Sequence, residues 1–350
     1  MNSDFSPLLI DWYVLNKRDL PWRKYKDPYV IWLSEIILQQ TRVNQGLPYF
    51  LSFLKRFPKV SDLANATENE VLKLWQGLGY YSRARNMYAT AKKVAFDYNG
   101  VFPSSYKELI KLKGIGPYSA SAIASFSSNE HVAVVDGNVY RVLARIYGVF
   151  TPINSSQGQK EFQKLALSLL PIKDSSTHNQ AIMEFGAAHC TPKKPKCSSC
   201  VFQHNCYAFR NEAYLDLPVK IKKTKVKKRY INYLVQENKS HVFMRYRNQE
   251  GIWRNLYDFP DFEFETAVSK EQLLVEVRKE FPKVEDLELL EQCVTPHKLS
   301  HQHLYISYYS VKTAEASLNI FNGVPVLKDD FSKFPMPIVI SRFISTLKKY

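Results

Sequence analysis

Apolar residues recur at three- and four-residue spacing from the start of the chain to about residue 210, and short turns rich in Gly, Pro or Asn break the pattern into segments. That period is helical, so this half reads as all-α, with about ten helices. The first spans 5–18, with Phe5, Leu8, Leu9, Trp12 and Leu15 on one face, and Asp19-Leu20-Pro21-Trp22-Arg23 breaks it. Asp27-Pro28 opens the next, from Tyr29 to Gln40. A short helix from Ser105 to Leu112 leads through Lys113-Gly114-Ile115-Gly116-Pro117 into a helix rich in Ala and Ser. The run Val132 to Val135 is the one extended stretch, and it delivers Asp136 to a helix from Gly137 to Tyr147. From 230 onward the period falls to two, in YINYLVQ, HVFMRYR, CVTPHKL and HLYISYYSVK, with helices expected at 271–281 and 336–349. The expected division is an all-α domain over 1–211, a basic linker over 212–229 and a small α+β domain over 230–350. Within the linker, residues 218–229 hold seven Lys or Arg and no acid.

Charge narrows the choice of partner. The 350 residues carry a net charge of +15, which favours a polyanion. No apolar run reaches the ~18 residues of a membrane span. The N-terminus lacks the basic-then-apolar order of a secretory signal. The expectation is a cytoplasmic chain with no membrane association. Four of the five cysteines lie between 190 and 206, which suggests a metal or cluster site rather than disulfides. Cys190, Cys197, Cys200 and Cys206 are spaced C-x6-C-x2-C-x5-C. Four thiolates suit either tetrahedral zinc or a [4Fe–4S] cluster, and the spacing leaves both open. Lys193, Lys194 and Lys196 fall in the first gap and make the loop a phosphate contact as well.

Two carboxylates carry the candidate chemistry. Glu35 is the single acid in the almost wholly apolar run VIWLSEIIL, where burial disfavours its charged form and raises its pKa. A carboxyl protonated near neutrality can act as a general acid. Asp136 sits before a helix, where it caps the amides of Asn138 or Val139 and stays ionised. Two carboxylates with pKa values pushed apart are the logic of glycoside cleavage. Gly114 and Gly116 allow a tight reversal ahead of a helix start, a place that grips a phosphate oxygen. Gly77-Leu78-Gly79-Tyr80-Tyr81, followed by Ser82-Arg83, is a second glycine-loosened turn presenting aromatics, and Tyr81 is expected to pack within it.

The motifs SEIILQQTRV, LWQGLGYYSRARN, LKGIGPYSASAI and VDGNVYRVLAR resemble those of the MutY-type adenine DNA glycosylases, within the helix-hairpin-helix, Gly-Pro-Asp superfamily of base-excision enzymes. The resemblance runs from about Leu15 to Tyr207. It implies a mainly α helix-hairpin-helix glycosylase domain with a [4Fe–4S] cluster on the four cysteines. It implies that Glu35 donates a proton to adenine N7 and that Asp136 stabilises the sugar cation, with Tyr118 and Asn138 assisting. Tyr118 stands where the bifunctional enzymes of the endonuclease III type carry a nucleophilic lysine, so base removal without strand cleavage is expected. Trp22, Arg23 and Gln180 would line the adenine pocket. Gln40 and Tyr80 would insert beside 8-oxoguanine, with Thr41, Arg83, Gly114 and Gly116 also on the DNA. The stretch GIWRNLYDFP resembles the family's Nudix-like C-terminal domain, but residues 261–290 lack the catalytic Nudix box. Leu299-Ser300-His301 resembles the family's F-S-H loop that reads 8-oxoguanine, with Leu299 replacing the aromatic residue. The implied substrate is duplex DNA with adenine opposite 8-oxoguanine or guanine, acted on by a monomer in a bacterial, nucleoid-associated setting. A bifunctional glycosylase/lyase, a non-catalytic iron–sulfur DNA-binding protein and a nucleotide-pool hydrolase are the rival readings. The absent lysine at 118, the presence of both carboxylates and the missing Nudix box argue against them in turn.

Overall fold

The computed structural model describes residues 4–221, 226–314 and 319–347. The helices before residue 211 are α1 (Phe5–Asn16), α2 (Pro28–Leu38), α3 (Val43–Arg56), α4 (Val60–Asn65), α5 (Glu68–Leu74), α6 (Ser82–Asp97), α7 (Tyr106–Leu109), α8 (Pro117–Ser128), α9 (Gly137–Tyr147), α10 (Ser156–Leu169), α11 (Ser175–Ala188) and α12 (Tyr207–Arg210). Two more follow, α13 (Lys270–Glu280) and α14 (Ile338–Leu347). The chain forms two compact units, Met1–Asn65 with Asn86–Lys222, and Ala66–Arg85 with Lys223–Tyr350. The segment 66–85, helical like its neighbours in sequence, thus packs with the C-terminal half.

In the first unit the hydrophobic period does what it implies. Leu9 and Trp12 of α1, Val139, Val142 and Leu143 of α9, and Ala181 and Phe185 of α11 share one buried cluster. Several ends differ from the sequence expectation. The first helix stops at Asn16, not residue 18, and α2 stops at Leu38, because Gln39 turns extended and Gln40 is left-handed at φ 54°. The helix expected over Ser105–Leu112 is one turn, Tyr106–Leu109. Residues 132–135 are extended but join no sheet. Their backbone is held instead by Asn179 of α11, whose Oδ1 accepts from Val134 N at 3.1 Å and whose Nδ2 donates to Val132 O at 2.9 Å. Gln163 Nε2 donates to Ala133 O at 3.1 Å as well, so side-chain amides meet these backbone groups where a sheet would use a partner strand.

The second unit is built on a sheet of eight strands: β1 (Lys227–Glu237), β2 (His241–Tyr246), β3 (Tyr257–Asp258), β4 (Asp261–Phe264), β5 (Asp286–Gln292), β6 (His297–Lys298), β7 (Gln302–Lys312) and β8 (Val324–Leu327). The central order is β3-β2-β1-β7-β5, with β1 parallel to β7 and antiparallel to β2. The period-two reading located β1, β2 and β7. It merged the stretch at 293–299 into one strand, where the structure has only the two-residue β6, and it passed over β5. In β5 the outer residues Glu288, Leu289 and Leu290 are all exposed, so the alternation that marks a half-buried strand is missing. Helix α13 covers the sheet with Leu273 and Val277, which pack with Leu234, Leu287 and Tyr309.

Candidate active site

Asp27 starts α2 by accepting from Tyr29 N at 2.8 Å, and Pro28 takes the first helical position. The helix buries Trp32, Leu33, Ile36 and Ile37, and Glu35 goes in with them, only 8% exposed. Burial raises the Glu35 pKa to about 7. Tyr118 OH donates to Glu35 Oε2 at 2.8 Å and opposes that rise, while the Asp136 charge adds to it. The same burial holds the Tyr118 phenol well above its ordinary value. With Tyr118 on Oε2, Oε1 is the oxygen left to carry a proton.

Asp136 caps α9 with both backbone amides that its position suggested. Its Oδ1 accepts from Asn138 N and Val139 N, each at 2.8 Å, and its Oδ2 accepts from Asn138 Nδ2 at 2.8 Å. Burial holds the Asp136 pKa above its ordinary value, against the pull of these hydrogen bonds and of Arg141, so both carboxylates are raised rather than pushed in opposite directions. Asn138 is held in turn by Arg141 Nη2, which donates to its Oδ1 at 2.9 Å and to Gly186 O at 2.6 Å. Gly186 has no room for a side chain: a Cβ there would lie 2.7 Å from Asn138 Cβ.

Glu35, Tyr118, Asp136 and Asn138 line one cleft of about 800 Å³, together with Gln40, Thr41, Trp22 and Arg23. A smaller chamber of about 60 Å³ opens from the Glu35 side, walled by Trp22, Arg23, Gln180, Met183 and Phe126. The three residues expected at the adenine pocket therefore meet, and Trp22 packs edge-on against Phe50. Tyr13 OH donates to Gln180 Oε1 at 3.2 Å. One residue behind the wall had no sequence signal. Glu184, one turn on from Gln180, accepts from Arg18 Nε at 2.6 Å and from Arg23 Nη2 at 2.7 Å. These guanidinium bonds outweigh burial and lower the Glu184 pKa to about 2. Ion pairs between residues 166 apart in sequence have no local periodicity to betray them.

The hairpin before α8 follows the glycine argument. Gly114 is left-handed at φ 78°, and a Cβ on it would lie 2.7 Å from Asn86 Cβ. Gly116 caps α8 without a side-chain hydrogen bond, and Pro117 follows, so the first amides of a twelve-residue helix meet no capping side chain.

In the second unit, the turn at Gly77 to Tyr80 is left-handed at Gly77, Gly79 and Tyr80. Tyr81 is buried and donates to Met336 O at 3.1 Å, so it packs the turn as expected. Tyr80 is 49% exposed, and its hydroxyl is hydrogen-bonded to Ser300 Oγ. Arg83 turns inward: its guanidinium lies over Trp75 and Tyr80, and Nη2 donates to Gly79 O at 3.2 Å. Tyr80, Leu299, Ser300 and His301 line a cleft of about 470 Å³ with Trp253 and His297. Leu299 N donates to Gln302 O at 2.8 Å and closes a tight turn that leaves Ser300 and His301 exposed.

The four cysteines line one cavity. Burial, with Cys190, Cys206 and Cys197 adding to it, pushes the Cys200 thiol up to about 12, so four thiolates there call for a cationic group between them. Arg145, buried in the same wall, donates to Cys190 Sγ at 3.4 Å and to Thr191 O and Pro192 O at 2.8 and 2.9 Å. All-sulfur donors with this support fit an iron–sulfur group.

A hairpin feeding a helix, a capping aspartate beyond it and a cysteine-lined loop define a base-excision glycosylase of the helix-hairpin-helix class. The model of the HhH-GPD superfamily base excision DNA repair proteins matches residues 33–167, the iron–sulfur binding domain of endonuclease III matches 190–206, and a NUDIX domain matches 232–346. An adenine DNA glycosylase of Buchnera aphidicola subsp. Baizongia pistaciae is 35% identical over 350 residues, covering 99% of this chain and 97% of its own. One from Homo sapiens is 39% identical over 58% of this chain and 39% of its own. A thermostable thymine-DNA glycosylase structure superposes with a TM-score of 0.56 at 28% identity, over 60% of this chain and 97% of that one. A non-covalent endonuclease III–DNA complex shares the fold, with a TM-score of 0.53 at 21% identity over 61% of this chain and 98% of that one. The chain belongs to the adenine DNA glycosylase family. It is a base-excision enzyme that hydrolyses an N-glycosyl bond in DNA and carries an iron–sulfur cluster.

Proposed function

We propose that this enzyme removes adenine paired with 8-oxoguanine, and also with guanine, by hydrolysis alone, and so prevents G:C to T:A transversions. The observation that carries the chemistry is Glu35: buried, half-protonated near pH 7, and hydrogen-bonded on Oε2 by Tyr118, its one side-chain partner among the described residues. In this reading Oε1 of Glu35 delivers a proton to N7 of the extruded adenine. The glycosidic bond breaks as the base leaves neutral, and the sugar becomes an oxocarbenium-like cation. Asp136, fixed by Asn138 and two amides, stabilises that cation before water adds to it. Trp22, Arg23 and Gln180 receive the base, since a flipped base needs a flat apolar face and edge-directed polar groups. Tyr118 supplies no amine, so no Schiff base forms and the strand stays whole. Gln40, Thr41, Gly114 and Gly116 serve the DNA backbone and the gap left by the base, and Arg83 serves by stiffening the turn that presents Tyr80.

For the oxidised guanine, Ser300 and His301 are the readers and Tyr80 the inserted ring, a role supported by the cleft they share. The cofactor in this reading is a [4Fe–4S] cluster held by Cys190, Cys197, Cys200 and Cys206. The working divisions are 1–211 for catalysis, 212–229 as a basic connection and 230–350 for recognition, in a chain acting as a cytoplasmic, nucleoid-associated monomer. The test is single-turnover cleavage of duplexes with adenine opposite 8-oxoguanine, guanine or thymine, with and without alkali. Abasic product that breaks only after alkali, fastest opposite 8-oxoguanine, is expected. Efficient borohydride trapping of protein on DNA would refute the hydrolytic reading.

A further inference from the structure

Two arginines from the turn after α1 converge on one buried carboxylate that lies behind Arg23, a wall residue of the Glu35 chamber. Glu184 is 1% exposed, and it accepts from Arg18 Nε at 2.6 Å, Arg18 Nη2 at 2.9 Å and Arg23 Nη2 at 2.7 Å. Arg18 N adds a fourth donor at 3.2 Å. Arg23 Nη1 donates to Arg18 O at 3.0 Å, and its guanidinium lies over the Tyr13 ring at 5.5 Å. Arg23 is thus held on two N–H groups and one face. Arg18 does not line the small chamber, while Arg23 does. Both arginines line the larger cleft, so the carboxylate joins one arginine that reaches the small chamber to one that reaches only the cleft.

An arginine has five N–H donors in a rigid planar fork and no acceptor. One of Arg23's goes to Glu184 and one to Arg18 O, and the other three are available to a ligand. A donor-only group suits the ring-nitrogen acceptors of adenine. It meets a clash of donors at a purine whose N1 carries a proton, such as hypoxanthine. A loosely held arginine would turn to suit either base; a clamped one does not.

We propose that Glu184 is a positioning residue that fixes Arg23 for reading the extruded base, and so sets the discrimination between adenine and purines protonated at N1. The proposal rests on the adenine-chamber reading above. It predicts that Glu184→Gln, which can satisfy one arginine but not both, slows adenine release on the order of 10²-fold, the usual consequence of a misplaced contact. It also narrows the adenine-to-hypoxanthine rate ratio, whereas damage to packing alone would slow both bases alike.

The experiment is single-turnover release from full-length, cluster-loaded enzyme on duplexes carrying adenine or hypoxanthine opposite 8-oxoguanine. The enzymes are wild type, Glu184→Gln, Glu184→Asp, Arg23→Ala and the Glu184→Gln/Arg23→Ala double variant. Expected are a narrowed ratio in both single variants at 184, a milder one in Glu184→Asp, and a double variant no worse than Arg23→Ala. Equal slowing of both bases, or losses that multiply in the double variant, would overturn the proposal. If Glu184→Gln does not melt cooperatively, Glu184→Asp decides, because it keeps the charge and moves it: an unchanged ratio there overturns the assignment equally. Wild type that releases no adenine would instead defeat the adenine reading itself.

Discussion

The chemistry at Glu35 is obtained by making the folded state worse. Its pKa is raised from an ordinary 4.5 to about 7, so the folded protein binds a proton that the unfolded chain has released over that window. Stability therefore falls as pH rises from 4.5 to 7, and the deficit above pH 7 is about 3 kcal/mol. Glu35→Gln keeps the shape and cannot ionise. It should abolish release of adenine while melting at higher temperature than wild type at pH 8, with the difference vanishing near pH 4.5. Melting curves at the two pH values check this, and a variant no more stable at pH 8 would mean that Glu35 is not a buried acid. For wild type, the single-turnover rate should fall about tenfold per pH unit well above pH 7, as the acid form is lost.

At the scale of an element, α11 does most of the arranging. Asn179 pins the stretch that leads to Asp136, Gln180 and Met183 face the chamber, Glu184 holds two arginines, and Gly186 touches Asn138. Residues 179, 183 and 186 follow one helical stripe and 180 and 184 the next, which is how one helix serves several neighbours. Gly186→Ala should cost about 1–3 kcal/mol by overpacking, because the added Cβ meets the Asn138 backbone oxygen at 3.0 Å. It should also slow catalysis on the order of tenfold or more as the Asp136 cap shifts. A rate unchanged by the substitution would mean that Asn138 does not set the position of Asp136. The cysteine loop that follows α11 carries its own expectation: Cys200→Ser should yield protein low in iron and sulfide, with weaker broad absorbance near ~400 nm and poorer solubility. Full iron occupancy in that variant would remove Cys200 from the ligand set. What the sequence disclosed of this element was Gln180. A lone acid in an apolar helix or before a helix-starting glycine is conspicuous, so Glu35 and Asp136 were legible. Glu184 was not, because its meaning lies in arginines at the other end of the domain. Val132–Val135 misled in a smaller way: an apolar run shows extended backbone but not whether strands or a side-chain amide will satisfy it.

At the scale of the whole molecule, the helical period shows that 66–85 is helical without saying what it packs on. The structure gives its partners: Lys73 Nζ donates to Phe334 O at 3.0 Å, Gln76 Nε2 to Ser341 Oγ at 3.1 Å, and Asn255 Nδ2 to Glu68 Oε1 at 3.0 Å. Buried Tyr81 reaches Met336 O as well. A chain ending near residue 222 keeps both carboxylates and the hairpin but leaves this segment's apolar and polar partners behind. It should melt at lower temperature and lose activity on adenine opposite guanine and opposite 8-oxoguanine together, so truncation does not isolate recognition. Substitution of exposed readers does. Ser300 Oγ can accept from the N7–H that 8-oxoguanine has and guanine lacks, and one such contact is worth about 1–3 kcal/mol. Ser300→Ala with His301→Ala in the full chain should therefore leave melting and the rate opposite guanine close to wild type. It should lower the preference for the oxidised pair by roughly one to two decades. The ratio of single-turnover rates on the two duplexes measures it directly. A full preference retained by the double variant would take the reading of 8-oxoguanine away from residues 299–301.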